Sequence, residues 1–218
     1  NGTLGASMAL ALGRHGADVA IVGRNEEKSA NVCRSIEAEG ARAASFRADA
    51  TREAELREAL AAVVAWTGKV DILVNCPGVN SATPFFEISE EEWDRIMDVN
   101  AKGVFLACQI FGKHMVERGE GGSIVNISSV SSTTPLSRVF TYSASKAAVN
   151  NMTQFLAREF APAGVRVNAI IPGFFPAEQN RAILSPERVE AIMRQTPMGR
   201  FGNAEELQGT VVWLASDR

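Results

Sequence analysis

Several kinds of residue are scarce in this 218-residue chain, and each scarcity argues against a class of protein. The three cysteines (Cys33, Cys76 and Cys108) are odd in number and far apart, which speaks against a disulfide framework and against a cysteine-built zinc site. A reducing cytoplasm is the expected location. The two histidines, His15 and His114, are also far apart, so no metal is expected. Charge of one sign is lacking too: 22 Lys+Arg against 25 Asp+Glu leave a net charge of −3, with no basic footprint for nucleic acid or an anionic membrane. No apolar run reaches the ~18 residues of a membrane helix, and the chain does not open on a signal-peptide pattern. Aromatic residues make up 7%, and tyrosine occurs once, at Tyr142. What remains is ordinary for a folded domain: 46% hydrophobic and 22% charged residues, enough for one core and too few for two. A single domain over residues 1–218 is expected.

Short β-branched runs alternate with helical patterns along the whole chain. Strands are expected at 18–22, 43–47, 71–75, 123–128 and 165–170, and helices at 6–15, 26–39, 52–66, 90–117, 143–160, 187–194 and 204–215. Segments such as ILV and IVNI are apolar on both faces, as strands covered by helices above and below must be. Strand–helix alternation with long crossovers gives an α/β fold, a doubly wound parallel sheet. The chain begins on a glycine-rich turn (NGTLGASMALAL) with no strand before it, and closes on a helix with no strand after it. A first, central strand and a last strand are therefore expected to be missing from this stretch, and an unpaired central edge is a folding liability.

The strongest chemical signal is Tyr142-Ser-Ala-Ser-Lys146. At the start of a helix, the i, i+4 spacing sets phenol and ammonium on one face. A free phenol, with a pKa of about 10, exchanges protons poorly at neutral pH; a neighbouring cation lowers that value. Such a pair also arises by chance on helices. Ser129, at the end of the 123–128 strand and thirteen residues before Tyr142, sits where ligands bind in parallel sheets, although a Ser/Thr-rich loop uses hydroxyls in turns as well. Asn100 lies within a long helical pattern, where asparagine is mildly unfavourable; it is either functional or tolerated.

Together these residues resemble the short-chain dehydrogenases/reductases over nearly the whole chain. The resemblance rests on the turn Gly2–Gly5, Asp49, Asn75-Cys-Pro-Gly78, Asn100, Ser129, the YSASK motif and Ile171-Pro-Gly173. It implies a Rossmann-like fold and a catalytic tetrad of Asn100, Ser129, Tyr142 and Lys146. In that reading Tyr142 exchanges the alcohol proton and Ser129 bonds the substrate oxygen. Lys146 lowers the phenol pKa and holds the nicotinamide ribose, and Asn100 supports a water in a proton relay. The cofactor site implied is Gly2, Thr3, Leu4, Gly5, Arg24, Asp49, Asn75, Gly78, Tyr142, Lys146, Pro172 and Gly173. Backbone N–H groups at a helix N-terminus suit a pyrophosphate, and Arg24, where an acidic residue would bind ribose hydroxyls, favours NADP(H) over NAD(H). Thr3, Pro77 and Ala177 depart from the family pattern: Thr3 replaces the usual middle glycine, Pro77 removes a backbone N–H, and Ala177 replaces the usual Thr.

The segments PGFFPAEQNR, TPMGRFGNAEEL, GRNEEK and LGASMA resemble the sugar-acid branch of the family, D-mannonate oxidoreductases (fructuronate reductases) above all. That branch implies a cation for a carboxylate and polar groups for hydroxyls, for which Arg138, Gln179, Asn180 and Arg181 are the candidates. These arginines also read as solvated surface residues. The function implied is an NAD(P)-dependent oxidoreductase interconverting a secondary alcohol and a ketone on a small-molecule sugar acid such as D-mannonate/D-fructuronate. The alternatives are a 3-oxoacyl carrier-protein reductase, a gluconate dehydrogenase-like enzyme, or a dinucleotide-sensing scaffold without turnover. The resemblance further implies a homodimer or homotetramer through the helices at 90–117 and 143–160.

Overall fold

A computed structural model describes residues 2–175 and 185–217. Five strands alternate with helices as expected: β1 (Val19–Gly23), β2 (Ala43–Arg47), β3 (Ile72–Asn75), β4 (Gly122–Ile127) and β5 (Val165–Ile170). The helices are α1 (Thr3–Arg14), α2 (Glu26–Glu37), α3 (Glu53–Thr67), α4 (Glu90–Met97), α5 (Gly103–Arg118), α6 (Phe140–Phe160), α7 (Pro186–Gln195) and α8 (Gln208–Ala215). All strand pairing is parallel, with Val19 opposite Ala43, Ile72 opposite Ser123, and Gly122 opposite Val165.

The strands form two sheets, β1-β2 and β3-β4-β5, and among the described residues no strand joins β1 to β3. The facing edges of β1 and β3 line a deep cleft between the two sheets.

Strand β4 shows why the sheet needs helices on both faces. Because side chains alternate across a strand, Ile124 enters the core formed with α3, α5 and α6, whose buried members include Leu56, Val63, Phe111 and Val149. Val125 and Ile127 point the other way and pack with Met8 and Ala11 of α1 and Val211 of α8. This is the doubly wound arrangement, and it explains the apolar pattern of the central strand. Helices pack close where glycine allows it. A Cβ on Gly112 of α5 would lie 2.8 Å from Phe160 Cε2 of α6, and one on Gly13 of α1 would lie 2.9 Å from Ile36 Cγ2 of α2.

Four boundaries differ from the sequence reading, and three of them bear on the site. Helix α1 starts at Thr3 rather than 6, so the glycine turn is its N-cap and first turn. Helix α6 starts at Phe140 rather than 143, which places Tyr142 in the first turn. The helix expected at 90–117 is not continuous: α4 and α5 are joined by a π-helical segment, Asp98–Lys102, that contains Asn100. Such π segments widen a helix by one residue per turn and recur at functional sites. At the C-terminal end, the pattern at 204–215 is a 3₁₀ turn, Ala204–Leu207, followed by α8.

Candidate active site

The candidate site lies along the cleft between the sheets. The loops after β1, β3, β4 and β5 all open into it, so ligand groups meet the carboxyl ends of the strands. Ser129, Tyr142 and Lys146 line it, as does every cofactor residue expected from the sequence: Gly2, Thr3, Leu4, Gly5, Arg24, Asp49, Asn75, Gly78, Pro172 and Gly173. Asn100 does not.

Lys146 is buried, and its ammonium donates to two backbone carbonyls, Ile127 O at 2.8 Å and Pro77 O at 3.0 Å. One belongs to the end of β4 and the other to the loop after β3, so the lysine ties the two strand ends together below the cleft. Burial pulls its pKa down to about 8. The ammonium stands 5.7 Å from the Tyr142 ring centroid. Burial pushes the Tyr142 phenol up, with a hydrogen bond to Ser129 acting in the opposite direction. The phenol thus stands above its ordinary pKa, and Lys146 is not among the groups that shift it, its ammonium being engaged by the two carbonyls. Ser129 Oγ accepts from Ser131 N–H at 3.2 Å and from Ser131 O–H at 3.0 Å, so its own O–H is oriented toward Tyr142 on the cleft wall.

Asn100 is fully buried and spans the loop after β3 like a strand partner. Its Oδ1 accepts from Val79 N–H at 2.8 Å, while Nδ2 donates to Val79 O at 2.9 Å and to Ser145 Oγ at 3.0 Å. Ser145 Oγ in turn donates to Tyr142 O at 2.7 Å. Asn100 thus fixes the loop that carries Pro77 against the turn that carries Tyr142; its side chain holds backbone rather than facing the cleft.

Asn75 lines the cleft, yet its side chain is engaged elsewhere. The sequence reading assigns it to the cofactor, but its amide turns inward: Nδ2 donates to Asn126 Oδ1 at 2.9 Å and to Cys108 Sγ at 3.2 Å. Asn126 Nδ2 continues to Thr153 Oγ1 at 2.9 Å. Asn126 belongs to the same face of β4 as Ile124, so this hydrogen-bonded polar chain crosses the apolar layer and links β3, β4, α5 and α6. The sequence reading missed it. Two asparagines in apolar strands were the available signal.

At the opposite end, the first turn of α1 faces the cleft. Its N-cap, Gly2, supplies no side-chain cap, and nothing lies within 4 Å of where a Cβ on Gly2 would stand. Open space above a helix N-terminus fits a pyrophosphate. Thr3 does not obstruct it. Gly5 packs against Cys76, whose thiol receives the Gly5 N–H. Arg24, just past β1, reaches Asp49 Oδ2 at 3.6 Å. Asp49 also accepts from Thr51 N–H and Oγ1 at 2.9 and 2.8 Å. The residues present fit a dinucleotide: an open helix N-terminus for the diphosphate, a cation and a carboxylate at the β1–β2 end, and Lys146 with Tyr142 at the β4 end.

Of the substrate candidates, Gln179, Asn180 and Arg181 lie outside the described residues, as does Ala177. Arg138 is exposed, has a left-handed backbone (φ 61°), and does not line the cleft. The cation that does line this part of the cleft is Arg188 of α7. The sequence reading missed it, though a basic residue in the first turn of a helix, where the macrodipole disfavours it, was a usable sign.

A fold of this kind, with Ser129, Tyr142 and Lys146 sharing one cleft with an open helix N-terminus, defines a dinucleotide-dependent oxidoreductase. The family model described as enoyl-(acyl carrier protein) reductase matches residues 1–218, and the chain belongs to the short-chain dehydrogenases/reductases. It is similar to gluconate 5-dehydrogenase of Gluconobacter oxydans (strain 621H), 35% identical over 98% of this chain and 83% of that protein. It is also similar to 2-dehydro-3-deoxy-D-gluconate 5-dehydrogenase of Escherichia coli (strain K12), 37% identical over 98% and 84%. Among solved structures, a gluconate 5-dehydrogenase from Burkholderia cenocepacia J2315 in complex with NADP and tartrate superposes with a TM-score of 0.92. It is 35% identical and covers 98% of this chain and 84% of that one. The chain is thus an NAD(P)-dependent oxidoreductase acting on CH–OH groups. Among the described residues, no helix is long and apolar enough to cross a membrane, and no group of His, Cys, Asp or Glu could hold a metal ion.

Proposed function

We propose that the chain interconverts a secondary alcohol and a ketone on a sugar acid, with Tyr142 as proton donor and acceptor. The observation that carries the chemistry is the grouping of Tyr142, Ser129 and Lys146 in one cleft. The substrates for which the relatives are named, gluconate and 2-dehydro-3-deoxy-D-gluconate, support the sugar-acid class. Within it the sequence resemblance points to D-mannonate/D-fructuronate and the relatives to D-gluconate/5-keto-D-gluconate.

The bound nicotinamide supplies or takes the hydride. In ketone reduction the protein's part is proton and charge. Ser129 turns its O–H from the phenol to the carbonyl oxygen and fixes its position. The Tyr142 phenol, kept neutral by burial, is in the correct form to give its proton to that oxygen as negative charge develops there. The phenolate left behind stands beside the Lys146 ammonium, which stabilises it until solvent returns the proton. Alcohol oxidation runs the same path backwards. Asn100 acts as a positioning residue: by holding the backbone of Val79 it keeps Pro77 O under Lys146 and the first turn of α6 in register.

The cofactor reading favours NADP(H). The Arg24 guanidinium is largely exposed at the cleft and has only a 3.6 Å contact to Asp49, so it is free to take a 2′-phosphate. A homodimer or homotetramer through the 90–117 and 143–160 helices is part of the same proposal, supported by Phe105 and Phe155, which are 47% and 65% exposed on those helices. The cytoplasm is its proposed location, in keeping with three free thiols.

The test is absorbance of NADPH and NADH, supplied separately, with 5-keto-D-gluconate and with D-fructuronate. Turnover with NADPH ahead of NADH is expected. In Tyr142→Phe, cofactor binding should persist while kcat falls about 10²–10⁴-fold. Full activity in that variant would remove Tyr142 from the reaction.

A further inference from the structure

Charge in the substrate half of the cleft is one-sided. Arg188, in the first turn of α7, is half-buried, lines the cleft that also holds Tyr142 and Ser129, and donates from Nη2 to Ser137 O at 3.0 Å. Ser137 lies five residues before Tyr142, in the loop that also carries Ser129, so this bond brings the guanidinium to the wall of the reaction centre. One backbone carbonyl uses only part of a five-donor fork. Among the ion pairs of the described residues, none includes Arg188 or Arg138.

Two further features raise the positive potential at this spot. Arg188 is the third residue of α7: Ser185 caps the helix by accepting the Arg188 N–H, and Pro186 follows the cap. The positive end of the helix dipole disfavours a cation there. Arg138, the neighbouring cation across the loop, has a left-handed backbone (φ 61°), a conformation an arginine does not adopt without cost. The proximity of the two guanidiniums also depresses the Arg188 pKa, behind the larger effect of burial. Arg188 thus lines the cleft with a second cation near enough to repel it, and the cleft wall around it contributes Leu136, Val139 and Ile192. An anion entering the cleft would relieve that repulsion and fill the free N–H groups.

We infer that Arg188 is the receptor for the substrate carboxylate, with the nearby Arg138 adding long-range attraction, and that Arg188 sets the preference for acid over neutral substrates. The inference deepens the sugar-acid reading and rests on it. Planar, bidentate guanidinium–carboxylate recognition suits a hexonate whose carboxylate lies several carbons from the reacting carbonyl.

The test pairs 5-keto-D-gluconate with L-sorbose, which carries a hydroxymethyl group where the acid carries its carboxylate. Kinetics of wild type, Arg188→Met and Arg188→Lys are followed with saturating NADPH. Calorimetric titration of D-gluconate gives a readout independent of turnover, and circular dichroism checks folding. In Arg188→Met the ratio of kcat/KM for acid over ketose should fall 10- to 100-fold, with the loss in KM for the acid. Arg188→Lys should recover part of it, and D-gluconate binding should weaken in parallel. An unchanged ratio in Arg188→Met, while wild type reduces the acid, would overturn the receptor and leave the sugar-acid reading standing. A loss that appears instead in KM for NADPH would also overturn it, reassigning Arg188 to the cofactor. A wild type that neither reduces 5-keto-D-gluconate nor binds D-gluconate would end both readings.

Discussion

Lys146 has left most of its water, and the energetic consequence is measurable. Its ammonium sits under the cleft with two carbonyls for partners, and burial lowers its pKa from 10.5 to about 8. At about 1.4 kcal/mol per pKa unit, that difference corresponds to about 3 kcal/mol of folding free energy. The sign follows from proton counts. Below pH 8 the lysine is charged in both folded and unfolded chains, and the full cost of the buried charge is present. Between pH 8 and 10.5 the folded protein has released the proton while the unfolded chain still holds it, so the cost is progressively removed and stability rises. Above 10.5 both are neutral and the cost is gone. Lys146→Met has no such group. Urea unfolding of both proteins without cofactor, from pH 7 to 10.5, should show wild type gaining about 3 kcal/mol on the variant over that window. That is about 1 M in midpoint at a slope of about 3 kcal/mol/M. The thiols of the unfolded chain titrate in this range too, but they are common to both proteins and cancel. Cys76 is the exception, because its charge interacts with Lys146, so both proteins should carry Cys76→Ala. A stability difference that stays flat or falls with pH would show that the ammonium is hydrated, and would undo the account of a dry Tyr142–Lys146 site.

Two further perturbations probe the frame around the site. Gly112→Ala places a methyl 2.8 Å from Phe160 Cε2 and 3.4 Å from Ile124 Cδ1, and should cost about 1–3 kcal/mol by overpacking α5 against α6. Thermal unfolding reads this, and adding Phe160→Leu should return much of the loss; a neutral Gly112→Ala would mean the helices separate freely. Arg138→Gly removes a side chain from a left-handed backbone at φ 61°, and should raise stability by about 0.5–1 kcal/mol after the added backbone entropy of glycine. That is about 2–3 °C in Tm for a chain of this size, and a lower Tm would mean that the Arg138 side chain makes compensating contacts.

Local pattern by itself determined the parallel α/β architecture, because the period of apolar residues is a short-range property that tertiary contacts rarely reverse. It also determined the grouping of Tyr142 with Lys146, since a four-residue step on a helix sets two side chains on one face wherever the helix packs. Family motifs placed the cofactor residues on the cleft wall. Tertiary structure alone decided where the amides and cations point. Asn100 found Val79 twenty-one residues away, and Asn75 found Asn126 fifty-one residues away, so one braces a loop and the other turns from the cofactor into the core. The π segment at Asp98–Lys102 has no signature in hydrophobic periodicity, because one added residue in a turn shifts the apolar stripe less than the stripe is wide. Arg138 and Arg188 look alike in sequence. What separates them is which side of a loop each guanidinium stands on, and that is set by α7 docking its first turn against Ser137, fifty-one residues back along the chain.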